Sequence, residues 1–300
     1  MPFTRQRSCF CEAITPDAAG DMHRNDPLSY PDSPPWTLES LDFDRIDLAR
    51  IRHHQDLFFL LCSASFVESG SDRCTRNLIA HFSGDAELQG WLSQHWEHEE
   101  LQHGRALAAY VQTVWPEFDW HAGFQAFWHD HAVVRTAGQL EPSRGLELAA
   151  RCVVETGTAS LYRALHEITD EPVLKQLTRH IKSDEVRHYK HFYQHYQRYR
   201  QREGLGRYRV GRALLRRVNE IKREDSDIAL RHVFNQCYPQ QRTDEQAFRR
   251  ISHRAQGLLR RHLPAAMTVK MLLKPLELPP RLQTLLEKPL AKLAQRLFLH

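Results

Sequence analysis

Two short segments of this chain set a glutamate three residues before a histidine: Glu100 with His103, and Glu185 with His188. On a helix that spacing stacks carboxylate and imidazole on one face, a turn apart. A single pair of this kind arises readily by chance. Here each pair is preceded, about one helix and its return earlier, by a lone glutamate on an otherwise apolar stripe: Glu68 before the first and Glu155 before the second. The arrangement reads as an internal duplication. Helix bundles that bind two irons take one Glu from each of two helices and Glu-x-x-His from each of the other two, and this sequence supplies that set in alternating order. The residue types suit the chemistry. Hard carboxylate oxygens bridge and neutralise two cations, imidazole nitrogens complete each site, and open positions remain for dioxygen. The competing reading, solvated charges on helix surfaces, meets the difficulty that all four glutamates fall on apolar stripes, where a carboxylate without a cation is costly to bury.

The elements that must position these groups are helices. Leu57, Leu61 and Ala64 lead at three- and four-residue steps to Glu68, within a stretch from Leu41 to Phe82 that has helical spacing. A second helix is expected from Ser83 or Asp85 to Val111, stacking Leu92, Trp96, Glu100, His103 and Leu107. A third, from Gly145 to Ile168, carries Leu148, Cys152, Glu155, Ala159 and Tyr162; a fourth begins after Asp170 and Pro172 and runs through Ile181, Glu185, His188 and Phe192. Between the pairs, Trp115 to Pro142 holds two prolines and two glycines and reads as a connection with one short helix. Further helices are expected from Tyr208 to Phe234 and from Thr243, at a Thr-x-x-Gln capping box, to His262, before a proline-broken tail. Period-two alternation is nearly absent, so the fold class is all-α: a four-helix bundle over 39–200, a basic helical extension over 201–300, and a Pro-, Asp- and Ser-rich N-terminal arm over 1–38, poorly ordered by composition.

With 300 residues, 41% of them apolar and 26% charged, the chain has ordinary globular composition and enough length for a sizeable core. Its six cysteines are scattered or lie in the arm, as suits a reducing cytoplasm. The N-terminus lacks an apolar h-region, and no later stretch reaches the roughly 18 apolar residues of a membrane span. The net charge of +4 is unevenly placed. Arg212, Arg216, Arg217, Arg249, Arg250, Arg254, Arg260 and Arg261 make the segment from Arg198 to Arg261 strongly basic, which suggests an acidic partner.

The second and fourth helices also carry a resemblance. WEHEELQHG (Trp96 to Gly104) resembles the Trp-x-x-Glu-Glu-x-x-His-Gly signature of the soluble acyl-carrier-protein desaturases, and DEVRH (Asp184 to His188) resembles a motif of the wider ferritin-like di-iron superfamily. The likeness spans Leu57 to Tyr196. It implies a ferritin-like four-helix bundle with Glu68, Glu100, His103, Glu155, Glu185 and His188 as metal ligands, Asp184 steadying a ligand histidine, and Arg187 helping to hold the carboxylates. ETGT (Glu155 to Thr158) is similar to the family segment whose threonine lines the oxygen pocket, which gives that role to Thr158. A hydroxyl bonded back to its own helix is the local alternative.

The expected activity is a dioxygen-dependent di-iron oxidoreductase, desaturase or hydroxylase, acting on an acyl chain held by a carrier. Two Fe ions are the expected cofactor, and Mn fits the same ligands in one or both positions. No Gly-x-Gly-x-x-Gly element is present, so electrons are expected from a separate ferredoxin or reductase. An acyl carrier protein would dock on the basic C-terminal helices, and a monomer or homodimer suits such an enzyme. Oxygenation of another small molecule or of RNA is the alternative within enzymes. Ferroxidation with iron storage, in a cage-sized assembly, is the alternative outside them.

Overall fold

Short polar side chains mark most helix starts by accepting the first free amides. Asp47, Asp85, Ser143 and Asp244 each accept the backbone N–H three residues ahead, and Glu171 accepts from both Val173 and Leu174. The computed structural model describes residues 36–134, 140–223 and 225–299. Among the described residues there are helices and no strands. In chain order they are α1 (Leu48–Ile51), α2 (Gln55–Ser69), α3 (Ser71–His81), α4 (Ala86–Trp91), α5 (Glu97–Val114), α6 (Trp120–Val134), α7 (Arg144–Ile168), α8 (Pro172–Glu203), α9 (Arg207–Arg223), α10 (Asp225–Cys237), α11 (Glu245–His262), α12 (Ala265–Leu273) and α13 (Pro280–Leu299).

Two helix pairs position the site. α7 and α8 are joined by a three-residue turn and fold back on each other, so that Gly145 meets Glu203 at one end and His166 meets Lys175 at the other. α2 and α5 also run antiparallel: the Trp115 indole donates to the Arg52 carbonyl at one end, and Gly104 lies against Ser69 at the other. That second approach requires glycine, because a Cβ at Gly104 would sit 2.7 Å from the Ser69 nitrogen.

Several boundaries differ from the sequence expectation, each for a local reason. The stretch from Leu41 to Phe82 divides at Gly70 into α2 and α3. The connection holds a 15-residue helix, α6, because Gly123 serves close packing and not a break: its Cβ position lies 2.9 Å from the Phe66 ring. α4 and α5 are continuous through a π turn at Leu92–Trp96, which spends an extra residue and re-phases the helix just ahead of the EHEE run. Asp244, not Thr243, caps α11. Residues 1–35 of the arm lie outside the described residues, but Trp36, assigned by sequence to that arm, is buried in the core.

The C-terminal helices share the bundle's core. Leu230, Phe234, Phe248 and Ile251 belong to the same buried apolar cluster as Leu57, Leu61 and Leu107. Several of the arginines read as a cationic face are spent on this docking. Arg216 pairs with buried Glu141, Arg217 with buried Glu147, and Arg254 with Asp56. Arg212, Arg249, Arg250 and Arg261 stand exposed. No described helix is long and apolar enough to cross a membrane.

Candidate metal centre

The six expected ligand residues converge from α2, α5, α7 and α8 into two overlapping groups. Glu68, Glu100, His103 and Glu185 form one; Glu100, Glu155, Glu185 and His188 form the other; in each, the ligand atoms lie within 4.8 Å of one another. Glu100 and Glu185 belong to both. The two Glu-x-x-His pairs therefore supply the shared carboxylates, while Glu68 and Glu155 each close one end. All six side chains are buried.

Both histidines present Nδ1 inward. Nδ1 of His103 lies 3.2 Å from Oε1 of Glu185, and Nδ1 of His188 lies 3.1 Å from Oε1 of Glu100. Neither nitrogen makes a hydrogen bond of acceptable geometry, and the same is true of buried carboxylate oxygens on Glu100, Glu155 and Glu185. Native proteins seldom leave so many buried polar atoms unpartnered in one place. A pair of divalent cations would supply the missing partners, and four ionised glutamates would balance their charge. The residues present therefore fit a two-metal centre, and the chemistry of the donors suits iron or manganese alike.

The outer nitrogens are anchored crosswise. Nε2 of His103 on α5 meets Oδ2 of Asp184 on α8 at 2.9 Å, and Nε2 of His188 on α8 meets Oε2 of Glu99 on α5 at 2.7 Å. Arg187 ties the two acids together, with Nη2 2.7 Å from Asp184 and 3.1 Å from Glu99. Asp184 also accepts the Trp36 indole N–H at 2.7 Å. These contacts fix each ring with Nδ1 toward the centre. Sequence reasoning assigned Asp184 and Arg187 but missed Glu99 and Trp36. A signal for Glu99 existed, since each Glu-x-x-His glutamate is preceded directly by an acid, Glu99 or Asp184. Trp36 carries no comparable signal.

The electrostatics are those of crowded carboxylates without a cation. Burial, reinforced by the charge of Glu185, pushes Glu100 up to about 7, and burial likewise lifts Glu155 to about 8. Burial and the Glu100 charge raise Glu68 well above the usual carboxylate range. For Asp184 burial pulls upward, but the His103 hydrogen bond and charge prevail and hold it at about 2. Burial opposes the charged form of both histidines, yet the carboxylates around them keep both well above the ordinary imidazole value.

Two more hydroxyls reach the ligands. Oγ1 of Thr158 donates to Oε2 of Glu185 at 2.6 Å while also lying near the carbonyls of Val154 and Glu155, so the ligand contact and the back-bond to its own helix coexist. Tyr162 is fully buried and donates to Glu68. Beside the centre is a cavity of about 300 Å³ whose wall includes Glu68, Glu100 and Thr158, with Leu60, Val67, Val154, Leu161, Leu230 and Leu259 as its apolar lining. The C-terminal helices thus complete a chamber that begins at the ligands. Comparisons of the chain with protein-family models, curated proteins and solved structures gave no match.

Proposed function

We propose that this chain is a di-iron oxidoreductase that uses dioxygen to oxidise an unactivated carbon of an aliphatic substrate, and that its centre is of the kind found in the ferritin-like di-iron proteins. The observation that carries the proposal is the contact between two interlocked carboxylate–histidine groups and an apolar chamber. A cluster that merely held the fold together would need no such chamber. When bound, the irons supply the dioxygen chemistry. The chain's own residues do the rest. Glu100 and Glu185 hold the two cations as one unit, and Asp184 and Glu99 keep the imidazoles in register. Leu161, Leu230 and Leu259 exclude water from the chamber, and Thr158 holds a proton at Oγ1 beside Glu185, at the chamber wall. Electrons come from a separate ferredoxin or reductase, and desaturation and hydroxylation are both outcomes of hydrogen removal at such a site.

The test is anaerobic loading with ferrous iron, iron quantification, and then exposure to oxygen with a short acyl substrate and a chemical reductant. About two irons per chain are expected, with product formed in proportion to reductant. Rapid consumption of ferrous iron without substrate oxidation, in a cage-sized particle, would transfer the reading to iron storage. For the carrier-bound form of the substrate, the exposed Arg249 and Arg250 are the proposed contact. Their reversal to glutamate should weaken binding of an acyl carrier protein as high salt does, because both remove long-range attraction.

A further inference from the structure

Among the described residues six large apolar side chains stand exposed, and five of them come from two helices: Tyr208 and Leu215 on α9, and Leu282, Leu285 and Leu293 on α13. A single exposed leucine is ordinary on any surface. These are not scattered. Leu282, Leu285, Pro289 and Leu293 recur at steps of three and four residues, so they share one side of α13, and all four are exposed. Exposed Arg281, Lys288 and Lys292, at steps of seven and four, line the adjoining side. Tyr208, Arg212 and Leu215 repeat the arrangement on α9, with the Arg212 guanidinium 5.9 Å from the centre of the Tyr208 ring. The two helices meet at their starts: Arg207, the first residue of α9, donates to the carbonyls of Leu276 at 3.1 Å and Glu277 at 2.9 Å, just before Pro280 opens α13. Each helix has a single acid, and each acid is occupied. Glu220 pairs with Arg217, and half-buried Glu287 accepts the Gln283 amide. Arg209, Arg212, Arg281, Lys288 and Lys292 have no acidic partner among the described residues.

We infer that α9 and α13 together present a docking surface for an anionic lipid bilayer, on which the chain lies with Leu285 and Leu293 at the boundary of headgroups and acyl chains and Lys288, Lys292 and Arg212 among the phosphates. No described helix is long and apolar enough to span, so the attachment is peripheral. Leucine beside lysine on one exposed helix side is what that boundary requires. The apolar side chain leaves water there, while an ammonium or guanidinium on its flexible stem reaches the phosphate. Tyr208, with an apolar ring and a polar tip, suits the same depth. A second copy of this chain would set cation against cation, so self-association does not account for the exposed leucines. The surface uses neither the metal centre nor Arg249 and Arg250, and it stands independently of the proposed oxidation and of the carrier contact.

Co-sedimentation of the full chain with vesicles tests the inference, using phosphatidylcholine alone and phosphatidylcholine with about one third phosphatidylglycerol. The chain should bind the mixed vesicles much more tightly than the neutral ones, and high salt should diminish that binding by screening the attraction. Lys288→Glu with Lys292→Glu should weaken it by about 25-fold or more, since each cation at an anionic surface is worth about fivefold. Leu285→Ser with Leu293→Ser should weaken it by about tenfold or more at unchanged charge. Because Leu285 is 70% exposed and Leu293 50%, this second variant should keep the wild-type unfolding midpoint, which separates lost binding from lost folding. Arg249→Glu with Arg250→Glu should cost far less than reversal of the two lysines. Failure to sediment with mixed vesicles, equal binding to neutral ones, or wild-type binding by either α13 variant overturns the surface. Binding to single-stranded RNA without binding to vesicles would assign the cations to a nucleic acid and overturn it as well. Iron content of the same preparation keeps the two readings apart: a chain that holds two irons and ignores vesicles loses only the surface, and one that binds vesicles but no metal loses only the oxidoreductase reading.

Discussion

Glu99 on α5 anchors His188 on α8, with 2.7 Å between Oε2 and Nε2, and Asp184 returns the same contact from α8 to His103 on α5. Each Glu-x-x-His helix therefore orients the other's imidazole. Glu99→Gln and Asp184→Asn are expected to weaken metal binding by about 10- to 100-fold, the usual cost of losing an outer support. Asp184→Asn should be the larger loss, because Asp184 is 1% exposed whereas water reaches Glu99, which is 31% exposed. Chelator competition on both variants checks the order. A loss in Asp184→Asn equal to that in His188→Ala would make Asp184 a ligand instead.

Sharing of Glu100 and Glu185 between the two ligand groups separates the four glutamates into two kinds. Glu100→Ala and Glu185→Ala should remove both metals together. Glu68→Ala and Glu155→Ala should each spare the opposite position and leave about one metal per chain. Metal analysis of the four variants after dialysis reads this directly, and equal stoichiometry in all four would show that the positions are not distinct.

The convergence of these ligands was legible because the apolar stripes of α2, α5, α7 and α8 run straight through them. Glu68 continues from Leu61 and Ala64, and Glu155 lies between Cys152 and Ala159, so helical period alone brings them inward. What the stripes did not carry was long-range pairing. Trp36 meets Asp184 across 148 residues, and nothing local to a tryptophan after two prolines announces that contact. Some of the arginines read as a cationic face take part in tertiary pairing instead, while Arg212, Arg249, Arg250 and Arg261 remain exposed. Periodicity places them on helix surfaces, but Arg216 and Arg217 lean on Glu141 and Glu147, acids that only the tertiary fold brings near.

Gly104 follows the candidate ligand His103, where α5 crosses α2 at backbone distance. A methyl group in Gly104→Ala would sit 2.8 Å from the Ser69 Cα, and that contact is backbone, which cannot swing aside. The helices must part, carrying Glu68 away from Glu100 and His103. A stability loss of about 1–3 kcal/mol is expected from this overpacking, together with weaker metal retention. Denaturant unfolding and metal analysis measure the two effects. Wild-type values in both would show that α2 shifts without cost.

Thr158→Val removes the hydroxyl that donates to Glu185 while nearly keeping side-chain volume. Both metals should remain bound, since the threonine is not among the converging ligand atoms. If its proton serves the oxidation, the variant should release more hydrogen peroxide per oxygen consumed than wild type. Peroxide and oxygen measured in parallel decide it, and unchanged coupling would leave Thr158 only its contacts with Glu185 and its own helix.

Removal of the metals should give a protein whose stability falls as pH rises. Glu100, at about 7, and Glu155, at about 8, stay protonated in the folded chain where the unfolded chain, with carboxylates near 4.5, has released its protons. Glu68, His103 and His188 are raised in the same sense. For each of these groups the stabilising effect is complete below the unfolded value and is lost as pH climbs through the folded one. Asp184 acts oppositely: held at about 2, it favours folding above its ordinary 3.8, and that contribution fades only as pH falls toward 2. The two tendencies leave the stripped protein most stable in mildly acid solution, and its unfolding midpoint should decline between about pH 5 and about pH 9. Metal reverses the slope. Cations that neutralise the carboxylates displace the same protons, so metal affinity should rise with pH and binding in weak buffer should acidify the solution. Unfolding midpoints of stripped and loaded protein across that range, with a pH-stat record of metal addition, test both statements. A midpoint of the stripped protein that climbs with pH, or metal uptake without proton release, would mean that Glu68, Glu100 and Glu155 are already ionised in the metal-free fold, as Glu185 is, and that the charge crowding is relieved by some other route.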